Sequence, residues 1–194
     1  MRETIDYYNR NAESFVVNTV HADMSDIRNR FLKYVGPGGK ILDAGCGSGR
    51  DSLAFLKAGY AVEAFDASEE LCSIATDYLG FKVECKRFED LDGSAQYDGI
   101  WACASLLHVK GEDLPDIVKR MRVLLKPDGV LYASFKEGKT ERIIEGRFFH
   151  DMTLDACRSL FLDSGLNVLD LFTSRDVREN SDEITWINII GQTN

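Results

Sequence analysis

A short glycine-rich segment with acidic neighbours is the part of this sequence best suited to chemistry. Residues 43–50 read DAGCGSGR, with glycine at 45, 47 and 49. Glycine allows backbone angles and close approaches that a side chain forbids, so a flat or anionic ligand can lie against such a loop and the helix that follows. A second carboxylate, Asp66, follows Gly49 at close to the spacing of about 20 residues at which an acid after the second strand binds a ribose.

Two common nucleotide-binding patterns do not fit this segment. The dinucleotide pattern G-x-G-x-x-G places Arg50 in its third glycine position when counted from Gly45, and Ser52 when counted from Gly47. The P-loop pattern G-x-x-x-x-G-K-[ST] does not occur either. What remains is D-x-G-x-G-x-G with an acid after the next strand, and the plainer alternative is an ordinary tight turn between a strand and a helix.

Alternating strand-like and helix-like segments would position this loop. The segments with apolar residues at helical spacing end at glycine or proline. The candidate N-caps of the predicted helices are Ser68, Asp113 and Thr153. Segment 97–104 is apolar on both faces, as a central strand would be. The pattern predicts an α/β, doubly wound, seven-stranded, mostly parallel sheet with helices on both faces and the last strand antiparallel. Ligands are expected at the carboxyl ends of its central strands. The predicted strands are 40–44, 61–65, 81–86, 97–104, 130–135, 166–172 and 184–190.

Length and charge narrow the class of protein. The chain has 194 residues, so we predict one domain over 1–194, with 1–36 as an N-terminal helical lid and 136–151 as an acceptor-side insertion. With 23 Lys and Arg residues against 32 Asp and Glu residues, the net charge is −9. This negative charge disfavours binding to nucleic acid and to anionic membrane surfaces. The five cysteines are scattered along the chain, which predicts reduced thiols. The three histidines are far apart in sequence, so we predict no metal site. The polar N-terminus predicts a cytoplasmic protein.

The glycine segment and several later ones resemble a known family. Residues 41–49 resemble motif I of the class I S-adenosylmethionine-dependent methyltransferases, and the likeness continues through 65–68, 97–101, 107–109 and 125–130. It covers nearly the whole chain in the order of that family. More narrowly, residues 134–138 resemble bacterial stand-alone methyltransferases near the tellurite-resistance enzymes.

This resemblance implies S-adenosylmethionine as cofactor and assigns roles by position. Asp43 would position the methionine amino group, Asp66 would accept both ribose hydroxyls, and the Phe88 backbone N–H would face an adenine nitrogen. Glu89 or a water would take the adenine amino group, since Arg87 stands where many relatives have an acid. Tyr8 would close over the cofactor, as tyrosines do in similar enzymes. The full predicted cofactor set is Tyr8, Asp43, Ala44, Gly45, Cys46, Gly47, Gly49, Asp66, Ala67, Arg87, Phe88, Glu89, Ala104 and Ser105.

The predicted reaction is in-line methyl transfer to a small-molecule acceptor. His108 is the candidate catalytic base for a protonated acceptor, with a surface or cap histidine as the plainer alternative. Lys136 and Arg147, in an insertion that also carries Arg142 and His150, are candidate acceptor-binding residues, and a solvated loop is the alternative. No motif typical of nucleic-acid base or glutamine methylation follows the fourth strand. A non-catalytic cofactor-binding module and an NAD-dependent oxidoreductase are the competing functions.

Overall fold

A seven-stranded sheet forms the centre of the molecule. The computed structural model describes residues 2–178 and 183–194. The strands of the sheet are β1 (Lys40–Ala44), β2 (Ala61–Asp66), β3 (Glu84–Cys85), β4 (Tyr97–Ala102), β5 (Leu125–Lys136), β8 (Asn167–Arg175) and β9 (Thr185–Gln192). Between β5 and β8 in sequence, β6 (Glu141–Ile144) and β7 (Arg147–His150) pair with each other as a separate hairpin.

The strand order is β3-β2-β1-β4-β5-β9-β8, with β9 antiparallel to both of its neighbours and the remaining pairs parallel. This order confirms the predicted doubly wound, mostly parallel sheet with an antiparallel last strand. The chain starts at β1 in the middle and moves outward to β3, then returns to β4 and moves outward on the other side. The loops after β1 and β4 therefore lie side by side at the point of reversal, where such sheets bind ligands.

Six helices cover the sheet and its carboxyl edge. They are α1 (Arg2–Thr19), α2 (Ser25–Leu32), α3 (Arg50–Lys57), α4 (Glu69–Leu79), α5 (Leu114–Leu124) and α6 (Leu154–Asp163), with short 3₁₀ helices at Phe88–Asp90 and Leu106–His108. The predicted caps at Ser68 and Thr153 are confirmed, because their hydroxyls accept the backbone N–H groups of Leu71 and Ala156 at 3.2 Å each. Helix α1 is kinked at Asn11, whose backbone leaves helical geometry.

Alternate residues of the central strands pack on opposite faces, as the pleat requires. In β1, Leu42 joins the core under α5 and α6, whereas Ile41 joins the core under α2 and α3. Trp101 of β4 stacks on Tyr132 of β5 with ring centroids 3.9 Å apart on the second face. Both central strands are therefore buried on both sides, which explains their nearly continuous apolar sequence.

Several predicted boundaries were wrong. Only Glu84–Cys85 of the predicted strand 81–86 pairs with β2, because the chain leaves the sheet edge on both sides of this pair. Asp113, predicted as an N-cap, precedes α5 without a side-chain cap. β5 begins at Leu125, before the predicted start at residue 130, since Leu125 pairs with Tyr97 across an irregularity in the ladder. Within 2–178 and 183–194, no helix is both long and apolar enough to cross a bilayer.

Candidate functional site

A cavity of about 230 Å³ opens at the carboxyl ends of β1, β2, β4 and β5. Helix α1 covers it, with Tyr8 and Phe15 on opposite sides of the kink both contributing to its wall. One end is formed by the loop after β1 and by residues that follow β2 and β4. The other end is formed by the ends of β5, β8 and β9 and by the β6–β7 hairpin.

The loop after β1 is held against both neighbouring strands. The N–H groups of Gly45 and Cys46 both donate to the Phe65 carbonyl, at 2.9 and 3.0 Å. Gly45 has φ +78°, and a Cβ there would lie 2.5 Å from Ser105 Cβ. Ser105 itself donates to the Ala44 carbonyl at 2.7 Å. Glycine at this position therefore lets the loop pass between the ends of β2 and β4.

Asp66 lies at the end of β2 and contacts the glycine loop directly. Its Oδ2 accepts the Gly47 N–H at 2.9 Å, and its Oδ1 accepts the Ser68 N–H at 3.0 Å. Burial raises the pKa of this carboxyl, while the backbone donors at Ser68 and Gly47 oppose the shift. Each carboxylate oxygen has a second lone pair, so Asp66 can still accept hydrogen bonds from a ligand in the cavity.

Asp43 is almost fully buried at the end of β1. Its Oδ2 accepts the Ser52 hydroxyl at 2.6 Å. Burial, and then the neighbouring Asp51, raise the pKa of Asp43 to about 7. A carboxyl group with this pKa gains or loses its charge near neutral pH, so a cationic group placed beside it would favour the ionised form.

Asp51 joins three elements beneath the cavity. It accepts hydrogen bonds from Arg28 at 2.7 Å, from Arg50 at 2.6 Å and from the Trp101 indole at 3.1 Å. Burial favours its neutral form, but Arg50 and Arg28 outweigh burial and hold its pKa below the ordinary value. These contacts connect α2, the start of α3 and β4, and they fix the glycine loop where it enters α3.

Tyr8, His108 and the hairpin meet at the centre of the cavity. The His108 Nδ1 lies 2.6 Å from the Phe148 carbonyl, and its Nε2 lies 2.9 Å from the Tyr8 hydroxyl. A carbonyl can only accept, so Nδ1 carries the proton and Nε2 accepts from Tyr8. Burial lowers the pKa of His108 to about 4 and raises the pKa of Tyr8 to about 12. The imidazole is therefore neutral at physiological pH.

The structure brings most of the predicted site residues to this one cavity. Its lining includes Tyr8, Asp43, Gly45, Cys46, Gly47, Asp66, Ala67, Arg87, Phe88, Ala104, Ser105, His108, Lys136 and Arg147. Ala44, Gly49 and Glu89 lie outside the lining. Ala44 is buried in β1 and Glu89 is exposed. Arg142 and His150 point to partners in and beside the hairpin, Asp151 and Glu141. The individual roles of all these residues stay predictions.

Sequence reasoning missed much of the wall opposite the glycine loop. Ser134, Asn188, Trp186 and Asp176 line that end, together with Phe15 and Asp51 elsewhere. Tyr132 donates to Asn188 at 2.8 Å, and Asn188 donates to Ser174 at 3.0 Å. The only available signal was that Ser134, Ser174 and Asn188 are polar residues inside otherwise apolar or β-branched strands.

Comparison with known proteins agrees with this geometry. Residues 41–129 match a family model described as a methyltransferase domain. A Burkholderia thailandensis 1,6-didemethyltoxoflavin-N1-methyltransferase, solved with 1,6-didemethyltoxoflavin and S-adenosylhomocysteine, superimposes with a TM-score of 0.83 over 100% of this chain and 88% of its own, at 21% identity. Residues 41–129 are thus similar to a methyltransferase domain, and the fold is the Rossmann-like fold of class I methyltransferases.

Two curated methyltransferases also match part of the chain. An uncharacterised methyltransferase of Staphylococcus carnosus is 28% identical over 121 residues, which are 58% of each chain. The malonyl-[acyl-carrier protein] O-methyltransferase of Erwinia pyrifoliae is 29% identical over 133 residues, 63% of this chain and 48% of the relative. The chain therefore spans about half the length of these curated relatives.

Proposed function

We propose that the protein transfers a methyl group from S-adenosylmethionine to a small-molecule acceptor. The observation that carries this proposal is the contact between Asp66 and the Gly47 N–H inside the cavity. It places a hydrogen-bond acceptor for a ribose diol beside a glycine loop that a flat ligand can approach closely. The match of residues 41–129 to a methyltransferase domain supports the same assignment.

The residues at this end of the cavity fit an adenosyl cofactor by their chemistry. Asp66 offers lone pairs to a diol, and Asp43 offers a buried carboxyl to an ammonium group. Phe88 packs edge-on against Phe65, with ring centroids 5.5 Å apart, and supplies an apolar surface for a purine. We propose that α1 acts as the lid predicted for residues 1–36, since Tyr8 and Phe15 cover the cavity.

The protein's part in the reaction is alignment and exclusion of water. When bound, S-adenosylmethionine supplies a methyl group on a sulfonium sulfur, and this sulfur leaves as a neutral thioether when a lone pair of the acceptor bonds to the methyl carbon. Holding the acceptor in line with that group can contribute several kcal/mol. Ala104 and Ser105 follow β4 at the middle of the cavity, and Ala104 is fixed with φ +51° by donating its N–H to Ser134 at 2.8 Å.

His108 is the group best placed to remove a proton from the acceptor. Its Nε2 carries a lone pair that the Tyr8 hydroxyl engages, so the base becomes available when that hydroxyl moves to another partner. Because its pKa is about 4, the imidazole is ready to accept a proton throughout the physiological range but is a weak base. We therefore assign it a moderate contribution, for acceptors whose nucleophile is protonated.

His108→Gln is expected to lower turnover of a protonated acceptor by roughly tenfold, below the 10²–10⁴-fold range typical of general bases near neutral pKa. Steady-state release of S-adenosylhomocysteine measures this, and calorimetry should find its affinity unchanged. The wild-type rate should show no inflection near pH 6.5, since the pKa of His108 is about 4. His21→Gln, at an exposed position, is the matched control. Equal turnover of the two variants would remove His108 from the chemistry.

Cofactor affinity is expected to rise with pH up to about 7. The pKa of Asp43 is raised to about 7, so below this pH the carboxyl is neutral and cannot pair with the cofactor's ammonium group. Affinity for S-adenosylhomocysteine should therefore fall by up to roughly tenfold per pH unit on acidification below 7.

Calorimetric titration between pH 5.5 and 8.5 tests this dependence. 5′-Methylthioadenosine lacks the amino-acid end of the cofactor, so its affinity should stay flat across the same range. Asp43→Asn should flatten the acid limb for S-adenosylhomocysteine. A flat profile in the wild-type protein would show that Asp43 does not pair with the amino group.

Cofactor binding and methyl transfer together test the proposed function. We expect S-adenosylmethionine to bind, and S-adenosylhomocysteine to form when thiols, amines and oxyanions are offered as acceptors. Tellurite and selenite belong in this series, because the narrower resemblance to tellurite-resistance methyltransferases stays a prediction. Failure to bind either cofactor form at millimolar concentration would overturn the proposal. Binding without turnover would favour a non-catalytic module, and nicotinamide binding would favour an oxidoreductase.

A further inference from the structure

Three cationic side chains surround one aromatic ring at the far end of the cavity. The Phe149 ring of β7 is buried, with Lys136 Nζ 4.5 Å, Arg147 Cζ 5.4 Å and Arg142 Cζ 5.7 Å from its centroid. Lys136 is the last residue of β5 and also lies 5.8 Å from the centre of the Trp186 ring. Lys136, Arg147, Phe149 and Trp186 all line the cavity.

The carboxylates near this ring already have other partners. Asp151 accepts from Arg142 through both oxygens, at 2.6 and 3.1 Å. Asp176 accepts from Arg178 through both oxygens, at 2.9 and 2.6 Å, and from the Trp186 indole at 3.0 Å. Two acids are thus paired with two arginines, and neither is left for Lys136.

Of the three cations around the Phe149 ring, Lys136 and Arg147 have fewer carboxylate contacts than Arg142. Among residues 2–178 and 183–194, no carboxylate forms an ion pair with Lys136. Arg147 directs one terminal nitrogen to Glu145 at 2.9 Å, at the exposed turn of the hairpin. Its Nε is buried and has no hydrogen-bond partner among the described residues.

An anion entering this end of the cavity would find cations that still lack a full counter-charge. A partly buried cation needs a counter-charge or hydrogen bonds, and an aromatic face compensates only part of its lost hydration. Burial lowers the pKa of Lys136, and the positive charges of Arg142, Arg178 and Arg147 lower it further. The field at this end of the cavity is therefore positive, although the chain as a whole carries −9.

The distance between these cations and His108 limits the size of the ligand. The ring of Phe149 lies 5.0 Å from the ring of His108. An anionic group beside Phe149 would therefore lie only a short distance from a nucleophile beside His108. Asp43 and Asp66 lie at the opposite end, where a second anion would be repelled.

Resting on the proposed function, we propose that the methyl acceptor is a small organic anion whose carboxylate or phosphate group binds between Lys136 and Arg147 against Phe149. The two side chains are specificity-determining residues. They orient the acceptor so that its nucleophilic atom faces His108 and the transferred methyl group.

Calorimetry on the S-adenosylhomocysteine complex tests this site with benzoate, phenyl phosphate and the uncharged benzamide. We expect the two anions to bind at least tenfold more tightly than benzamide. Lys136→Met and Arg147→Met should each reduce anion affinity at least tenfold, with benzamide unaffected. Lys119→Met, at an exposed position on α5, is the control that keeps the same change in net charge.

Three outcomes would overturn the proposal: neither anion binds, benzamide binds as tightly as they do, or Lys136→Met and Arg147→Met match Lys119→Met. Titration of S-adenosylhomocysteine into the same variants reports separately on the proposed function, because neither residue contacts the glycine loop or Asp66. If S-adenosylhomocysteine does not bind, the anion series is run on the cofactor-free protein. Failure of the acceptor proposal alone is thus distinguished from failure of the proposed function.

Discussion

Asp66→Ala is expected to weaken binding of S-adenosylhomocysteine by roughly a hundredfold to ten-thousandfold. The carboxylate would accept two hydrogen bonds from the ribose diol, each to a charged acceptor and each contributing about 1.5–3 kcal/mol, and about 1.4 kcal/mol corresponds to a tenfold change. The same variant removes the acceptor of the Gly47 and Ser68 N–H groups, so the glycine loop also loses its contact with β2. Both effects act in the same direction.

Two further variants separate these effects. Asp66→Asn keeps one acceptor oxygen, so it should retain the fold and show an intermediate affinity. Asp163→Ala, at an exposed position in α6, removes the same charge without a contact to the cavity and should bind like the wild type. Calorimetry gives the affinities and denaturant unfolding gives the stability. Wild-type affinity in a folded Asp66→Ala protein would show that the cofactor lies elsewhere.

Gly45→Ala is expected to lower the free energy of unfolding by about 2–5 kcal/mol and to weaken S-adenosylhomocysteine binding by more than tenfold. The residue has φ +78°, and the new Cβ would lie 2.5 Å from Ser105 Cβ. Ser105 cannot move away freely because its hydroxyl bonds to the Ala44 carbonyl at 2.7 Å. The loop must therefore shift away from β4, which moves it within the cavity.

Gly59→Ala is the matched control for backbone strain alone. Gly59 has a similar φ of +87°, but no atom lies within 4 Å of the position of its Cβ. It should lower stability by only about 1–2 kcal/mol and leave the affinity unchanged. If the two variants lose equal stability and both bind normally, the close approach of the loop to Ser105 has no functional importance.

The glycine-loop end of the cavity was predictable because its signals are local in sequence. The loop at 43–50 and the acid at 66 are each tied to a strand end, and parallel strands bring such ends to one edge. Apolar runs of strand length predicted the sheet. The positions of Ser68 and Thr153 before apolar helical segments predicted their roles as N-caps. The sequence did not show how few residues of the edge strand pair with β2. The apolar residues of segment 81–86 are compatible with a strand whether or not each residue pairs with a neighbouring strand.

The opposite wall depends on contacts between residues far apart in sequence, which no local pattern reveals. Trp186 and Asp176 reach the cavity only because β9 inserts between β5 and β8. The hairpin was also missed. Its turn, Glu145-Gly146, has φ of +52° and +82°, a two-residue geometry more often signalled by Asn-Gly or Asp-Gly. The charged residues around the turn favoured the prediction of a solvated loop. In the structure, alternate residues of β7, such as Phe149, face the cavity.

The β6–β7 hairpin has its ladder hydrogen bonds within itself, and a single bridge from Glu137 to Met152 joins its base. It nevertheless supplies Arg147, Phe149 and the Phe148 carbonyl to the cavity. The hairpin is packed into the rest of the molecule, because Phe149 belongs to the apolar core that includes β5 and β9, and the Phe148 N–H donates to Thr4 of α1 at 3.0 Å. Exchanging the hairpin would therefore also disturb the hydrogen bond that orients His108 and the contact that holds α1 over the cavity.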